Sequence, residues 1–440
     1  MSSTFSRNTL VAVVIATIVV TAIVVGGIVY VFFPPQQEAN VLEIYHWWTS
    51  GGENAAVNAL VDEFKTEYPD TTVIQNTVPG GAGFEFLQVM KTLVLAGQSP
   101  DAFQLHAGYE GLPYYDAGAL EQINGIWDSQ GLKDVIPQVV QDMCKFDGNF
   151  YMVPVNIHRS NVVWYNLPLL TANSIDPSTL TTWTAFENAL STLKGAGVTY
   201  PLYMGEAWTE AHLFEQIMAS QGISVYQDWI NGKITTATDT HLLAALNTFK
   251  DLMAYVNPDA SGLSWDAATA KVISGDAAFN IMGDWANGEF TVANKTYGTD
   301  YGTMAVPGTG NMYGLVIDAF QHPKGVQHPT NSDNWLKVVG SKAGQDAFNP
   351  LKGSISARTD ADLTKYGDYQ KAAIGDFKTV TYMYPSVVHG SGAPESFKVD
   401  LNNVISQFVT DGNVNAAATA IAKLATDNSA DFTQTWNISS

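Results

Sequence analysis

Val41-Leu42-Glu43-Ile44-Tyr45-His46-Trp47-Trp48-Thr49-Ser50-Gly51-Gly52-Glu53 decides the fold. Its first six residues have the make-up of a buried strand. Two tryptophans, a Thr-Ser pair and two glycines break that strand. Val57, Leu60, Val61, Phe64 and Tyr68 then recur at i, i+3, i+4, i+7 and i+11, which puts them on one face of a helix. The same succession follows at once. Residues 72–78 form a second strand, Gly80-Gly81-Ala82-Gly83 breaks the chain, Phe86, Leu87, Met90 and Leu93 mark a helix, and residues 102–105 form a third strand. Strands alternating with helices predict an α/β fold on a parallel sheet.

A second set of elements extends the pattern. Residues 161–166, 200–204, 277–282 and 314–320 are expected as strands. Residues 184–193, 210–220 and 241–255 are expected as helices, with another from near Ser332 and a helix-rich remainder from about Ser354. With 440 residues, 46% of them hydrophobic, the chain exceeds one comfortable core and suits two lobes. Pro154-Val155-Asn156 and Val306-Pro307-Gly308 are the candidate crossings between them.

Charge and cysteine usage narrow the function. There are 21 Lys and Arg against 42 Asp and Glu, a net charge of −21 with no basic run. Nucleic acid and anionic membrane surfaces, which need clustered cations, are excluded as partners; a neutral polar ligand fits better. Cys144 is the only cysteine, so no internal disulfide forms, and the expected role is a small buried apolar residue. No zinc spacing, phosphate loop, metalloprotease helix or nucleophile elbow is present, and no metal or cofactor is implied.

Residues 10–33 are uncharged and apolar and are followed by Pro34-Pro35. At about 1.5 Å per residue this run is long enough for a ~30 Å hydrocarbon core and too long for a cleaved signal peptide. Residues 1–33 are therefore expected to be one N-terminal transmembrane helix, an anchor or uncleaved signal, and 34–40 a polar stem. Arg7 ahead of the span places the remainder outside the cell. Two sequons, at Asn294 and Asn437, agree with a surface location.

In open α/β sheets ligands bind beyond the carboxyl ends of the strands. Those ends carry Trp47, Trp48 and Glu53; Gln104 and His106; Glu206 and Trp208; Asp284 and Trp285; and Asp318. Aromatic rings beside carboxylate, amide and imidazole groups suit sugars, whose C–H faces lie on rings and whose hydroxyls need paired donors and acceptors. Each has a structural alternative. One of Trp47 and Trp48 is free to pack in the core, Asp284 to cap the next helix, and Trp285 to pack between lobes. His46, inside the first strand, is read as packing. A pair such as Glu53 and Asp284 also leaves open a cell-surface glycoside hydrolase, which needs two positioned carboxylates.

At these residues the chain resembles the extracellular solute-binding proteins of carbohydrate ABC importers, over residues 41–440. Ala96-Gly97-Gln98-Ser99-Pro100-Asp101 looks like that family's Gly-x-x-Pro-Asp turn, and Asp147-Gly148-Asn149-Phe150-Tyr151-Met152-Val153-Pro154 like its hairpin before the first crossing. More narrowly it is similar to the glucose-binding branch of thermophilic bacteria and archaea. The matching runs are 103–108, 154–161, 260–265, 279–286, 348–355 and 388–390.

The resemblance implies a non-enzymatic, two-lobed receptor with the sugar in the cleft. Lobe 1 would be 41–154 plus 307–352 and lobe 2 would be 155–306 plus 353–440. It implies hexose contacts at Trp47, Trp48, Glu53, Gln104, His106, Trp265, Asp318, Lys352 and His389; Trp265, Lys352 and His389 rest on it alone. Asp284 and Trp285 come only from their strand-end position. Trp265 would stack on the ring, Glu53 and Asp318 accept hydroxyl protons, and Lys352 donate. Gln104, His106 and His389 would orient the sugar, the two histidines acting as donors. The expected ligand is glucose, with galactose or mannose next, and the expected partners are ABC permease subunits.

Overall fold

The computed structural model describes residues 40–434 and 436. The expected anchor at 1–33 lies outside the described residues, as does Asn437. Among the described residues no helix is long and apolar enough to cross a membrane.

The chain opens as its apolar spacing requires: β1 (Val41–His46), α1 (Gly51–Glu67), β2 (Thr72–Thr77), α2 (Phe84–Leu95) and β3 (Ala102–His106). These three strands are parallel, with Val41 beside Thr72 and Ile44 beside Ala102. After a small hairpin comes β4 (Met152–Pro154), then β5 (His158–Arg159), β6 (Val162–Asn166) and the helix α3 (Ala207–Ser220). Further on lie α4 (Trp265–Ser274), β7 (Phe279–Ile281), α5 (Ala286–Val292), β8 (Tyr301–Ala305), β9 (Met312–Val316) and β10 (Asp318–Gln321). They are followed by α6 (Lys342–Lys352), β11 (Tyr382–Pro385) and α7 (Glu395–Asp411).

The first sheet has the order β2-β1-β3-β10-β4. It is mixed rather than parallel, because β10 runs against both β3 and β4. Two further three-stranded sheets, β8-β6-β7 and β11-β9-β5, gather the later strands. The sheet changes between Pro154 and His158, within or just beyond the expected crossing.

Two expected elements differ. Residues 200–204 do not form a full strand; only Leu202 bridges to Val256 and Phe279. Residues 314–320 are two strands, not one. β9 pairs with β5 and β11, β10 pairs with β3 and β4, and Ile317 lies between them. The chain changes sheet between β8 and β9, across Val306-Pro307-Gly308, and again at Ile317, where it returns to the first sheet. The spacing of apolar residues along one chain carries no signal of where its hydrogen-bonding partners change.

That break places the side chains that matter. Through β9, Val316 sits opposite His158; through β10, Asp318 sits opposite His106. The joint is tied by Ala107 N–H to Ile317 O (2.9 Å), Val155 N–H to Asp318 O (2.9 Å) and Asp318 N–H to Asn156 Oδ1 (2.8 Å). Beneath the first sheet, Trp48 packs on Phe348 and Phe320 with ring centroids 4.9 and 5.8 Å away. Cys144 is fully buried, and burial pushes its thiol pKa up. His46 is buried against Gln75 and its pKa is lowered to about 4, chiefly by burial, consistent with packing.

α6 ends at Gly353, which has φ of 94° and closes the helix in the left-handed conformation. A Cβ there would lie 2.5 Å from Asp284 O and 2.9 Å from Gly288 N, so both backbone shape and space demand glycine. Gly353→Ala is expected to lower stability by about 2 kcal/mol or more. Urea unfolding should show a lower midpoint at unchanged slope; an unmoved midpoint would mean that this joint relaxes freely.

Candidate functional site

A cavity of about 510 Å³ opens beyond the strand ends where the two sheet groups meet. Its walls include Trp47, Trp48, Glu53, His106, Trp265, Trp285, Asp318, Lys352 and His389. Of the residues singled out from sequence, Gln104 and Asp284 do not line it.

The side chains arrive from separate elements. Trp47 and Trp48 follow β1, and His106 ends β3. Asp318 starts β10, Lys352 ends α6, and Trp265 starts α4. Both tryptophans of the first pair face the cavity. Trp47 also packs on His106 at 4.9 Å between centroids, whereas Trp48 is wholly buried in the core. Trp285 lies 4.9 Å from the His389 ring and 6.2 Å from Trp208.

Asp318 anchors the polar wall. Its Oδ1 accepts from Gln104 Nε2 at 2.8 Å and its Oδ2 from Asn156 Nδ2 at 2.7 Å. His158 Nε2 lies 3.2 Å from Oδ2 and His106 Nε2 3.8 Å from Oδ1. Burial alone would raise the Asp318 carboxyl. Hydrogen bonding from His158, with the charges of His158, Lys352 and His106, prevails and holds it well below the usual carboxylate range. Gln104 stands behind this carboxylate, its Oε1 taking the Trp47 N–H at 3.2 Å. Both ends of its amide are occupied by protein.

Asp284 neither lines the cavity nor caps α5; the residue capping that helix is Trp285, without a side-chain bond. Asp284 instead pairs Oδ1 with His158 Nδ1, so the imidazole is held between two carboxylates. Burial disfavours protonating His158. The charge of Asp284 and hydrogen bonds to Asp284 and Asp318 outweigh burial and the repulsion of Lys352, and its pKa is raised. Glu53 and Lys352 likewise meet each other, Nζ to Oε1 at 2.9 Å.

His158, Glu206 and Trp208 also line the cavity. Glu206 and Trp208 carried the same strand-end signal as the others. His158 carried none beyond its place in a matching run, because its role arises from pairing across sheets. Trp208 Nε1 donates to Glu206 Oε1 at 2.8 Å, and burial raises the Glu206 pKa against that bond. The Gly80–Gly83 loop closes on this corner: a Cβ on Gly81 would fall on the Trp208 indole nitrogen. Among the described residues, no three His, Cys, Asp or Glu side chains are arranged to hold a metal.

A wall of indole faces interrupted by fixed charges and imidazoles is chemically suited to binding a polyhydroxylated ring. Comparison with known proteins agrees. Residues 48–346 match the family described as bacterial extracellular solute-binding protein. Over 389 residues the chain is 41% identical to an ABC transporter extracellular-binding protein of Pyrococcus horikoshii, covering 88% of this chain and 87% of that one. A xylose/arabinose-binding protein of Haloferax volcanii is 30% identical, covering 86% and 83%. A glucose-binding protein of Saccharolobus solfataricus is 25% identical, covering 74% and 63%. Among solved structures, a bacterial solute receptor with a preference for β-D-galactopyranose superposes with a TM-score of 0.79 at 18% identity. It covers 90% of this chain and 100% of that one, and the likeness establishes a two-lobed α/β fold.

The raised pKa of His158 links stability to pH. Its contribution is complete below the unfolded value of about 6.5 and disappears as pH rises through the higher folded value. Asp318, with a depressed pKa, contributes above about pH 3.9, and that contribution is lost as pH falls toward its folded value. His158→Gln is expected to cost about 3 kcal/mol at pH 6, the scale of a broken buried pair, and less at pH 9. Chemical unfolding of both proteins at the two pH values checks this; an equal gap would mean that the native imidazole is neutral.

Proposed function

The chain belongs to the bacterial extracellular solute-binding proteins and is a sugar-binding receptor of an ABC transporter, not an enzyme; from that premise we propose that its sugar is a hexose, glucose first, with galactose or mannose next. The observation carrying this reading is the cavity wall. Indoles of Trp47, Trp265 and Trp285 supply apolar platforms, and Asp318, the Glu53–Lys352 pair, His106 and His389 supply polar groups around them. Capture proceeds by closure: the sugar touches residues of both lobes, stabilises the closed state, and that state is read by the permease subunits. Trp265 takes one face of the ring, and Glu53, Asp318 and Lys352 serve the hydroxyls. Gln104 acts from behind, by holding Asp318.

The similarity to a xylose/arabinose-binding protein favours a second reading, a pentose. The hydrolase alternative has no support in the comparisons. Its candidate carboxylates are also already committed, Glu53 to Lys352 and Asp284 to His158. We further propose that residues 10–33 anchor the receptor in the cytoplasmic membrane with the binding lobes outside.

Thermal unfolding with each sugar in turn tests the ligand. Glucose at about 100 times its dissociation constant should add about 2.7 kcal/mol of stability. A shift with xylose or arabinose and none with any hexose would replace hexose by pentose. Trp265→Ala should weaken glucose binding by about 2 kcal/mol or more, read by calorimetry, because a desolvated aromatic platform contributes on that scale. Unchanged affinity in a folded variant would remove Trp265 from the site. Deleting residues 1–33 should release the protein from membranes without changing its affinity, since every cavity-lining residue lies at or beyond Trp47. Full-length protein recovered from the medium with a new N-terminus after Phe33 would show cleavage instead of anchoring.

A further inference from the structure

His389 is set by residues that do not touch the cavity. Ser386 Oγ lies 2.8 Å from His389 Nδ1 and accepts the His389 backbone N–H at 3.2 Å. The same hydroxyl lies 2.9 Å from Glu215 Oε2, on α3. Glu215 Oε2 also accepts the Val388 N–H at 3.0 Å, and Glu215 Oε1 meets Tyr226 OH at 2.9 Å. Glu215, Ser386 and Tyr226 are fully buried, and neither Glu215 nor Ser386 lines the cavity.

A serine hydroxyl has one proton to give. Glu215 Oε2 receives a backbone N–H and is therefore an acceptor, so the Ser386 proton points to it. The same holds if Glu215 is itself protonated, as its pKa of about 7, pushed up by burial, allows. The added proton then sits on Oε1 facing Tyr226, whose own proton turns to Pro385 O at 3.0 Å. In both states Ser386 Oγ has only lone pairs left for the imidazole, so His389 Nδ1 must be the donor.

The ring is neutral. Burial first, and then the charges of His212, His106, Lys398 and His158, hold its pKa well below the ordinary value. A neutral ring protonated on Nδ1 leaves a bare lone pair on Nε2, the atom turned away from Ser386. That atom is buried and has no hydrogen-bond partner among the described residues, although its ring lines the cavity. We infer that Glu215 and Ser386 are positioning residues that lock His389 in the Nδ1–H form and present Nε2 to the sugar as an acceptor for one hydroxyl proton. This rests on the sugar reading of the cavity and reverses the expectation that His389 donates.

The test is a nitrogen-15 correlation spectrum of the full-length protein labelled at histidine, without sugar, with His389 assigned by its loss in His389→Gln. The expected spectrum shows Nδ1 protonated and Nε2 bare. Ser386→Ala should shift the ring toward the Nε2–H form and weaken glucose binding about tenfold, the scale of one lost hydrogen bond. Ser386→Thr, which keeps the hydroxyl, should restore both. Glu215→Leu should free the serine proton to point at Nδ1 and move the tautomer the same way. A proton on Nε2 in the wild-type protein overturns the inference, as does an unchanged tautomer and affinity in Ser386→Ala. A wild-type protein that binds neither hexose nor pentose overturns the sugar reading instead, while its nitrogen spectrum still decides the tautomer.

Discussion

The buried carboxylate of Asp318 is the constraint on which the rest of the site depends. A charge with 2% of its surface exposed is costly unless every lone pair is used. Here Gln104, Asn156, His158 and His106 surround it, and they come from two distant segments of the chain. Gln104 and His106 belong to β3, in the first sheet. His158 belongs to β5, in a sheet of the second group. One carboxylate therefore ties the two halves where the chain passes between them, and the break at Ile317 is the backbone geometry that makes it possible.

The same economy runs through the cavity wall and the buried groups behind it. Lys352 is matched by Glu53, His158 by Asp284 and Asp318, and Lys398 by Glu110, which its charge and that of His106 hold near a pKa of about 2 against the effect of burial. Charged groups are thus present as strong hydrogen-bonding sites while the protein itself balances them. A chain with a net charge of −21 is in this way able to offer polar groups to a neutral ligand. Rings fill the remaining wall, so the site combines apolar faces with directed polarity, as a sugar demands. On the proposed reading, a sugar that contacts both halves favours the closed arrangement in proportion to its difference in affinity for the two states.

Much of this was legible residue by residue. The first three strands and two helices follow their apolar spacing closely, because periods of two and 3.6 residues separate half-buried strands from amphipathic helices. Trp47, Glu53 and His106 were found because the carboxyl ends of parallel strands gather in one place; Asp318, read as a strand end, instead starts the antiparallel β10, which places it at the same edge opposite His106. The run 314–320 misled because a continuous strand-like stretch says nothing about which strand lies alongside each part of it. Asp284 misled because an acidic residue ahead of a helix looks alike whether it caps, binds ligand or holds a buried imidazole.

By itself the sequence determined the α/β class, the preference for a neutral polar ligand, the strand-end candidates and, through its matching runs, the kinship to sugar receptors. These depend on local periodicity, composition and contiguous motifs, all of which survive in one dimension. Tertiary structure alone decided that His158 sits between Asp284 and Asp318, that Lys352 answers Glu53, and that Glu215 reaches His389 through Ser386. These pairs are separated by 126, 299 and 171 positions in the chain. Partnerships over such distances are created by sheet register and helix packing, and no local pattern encodes them.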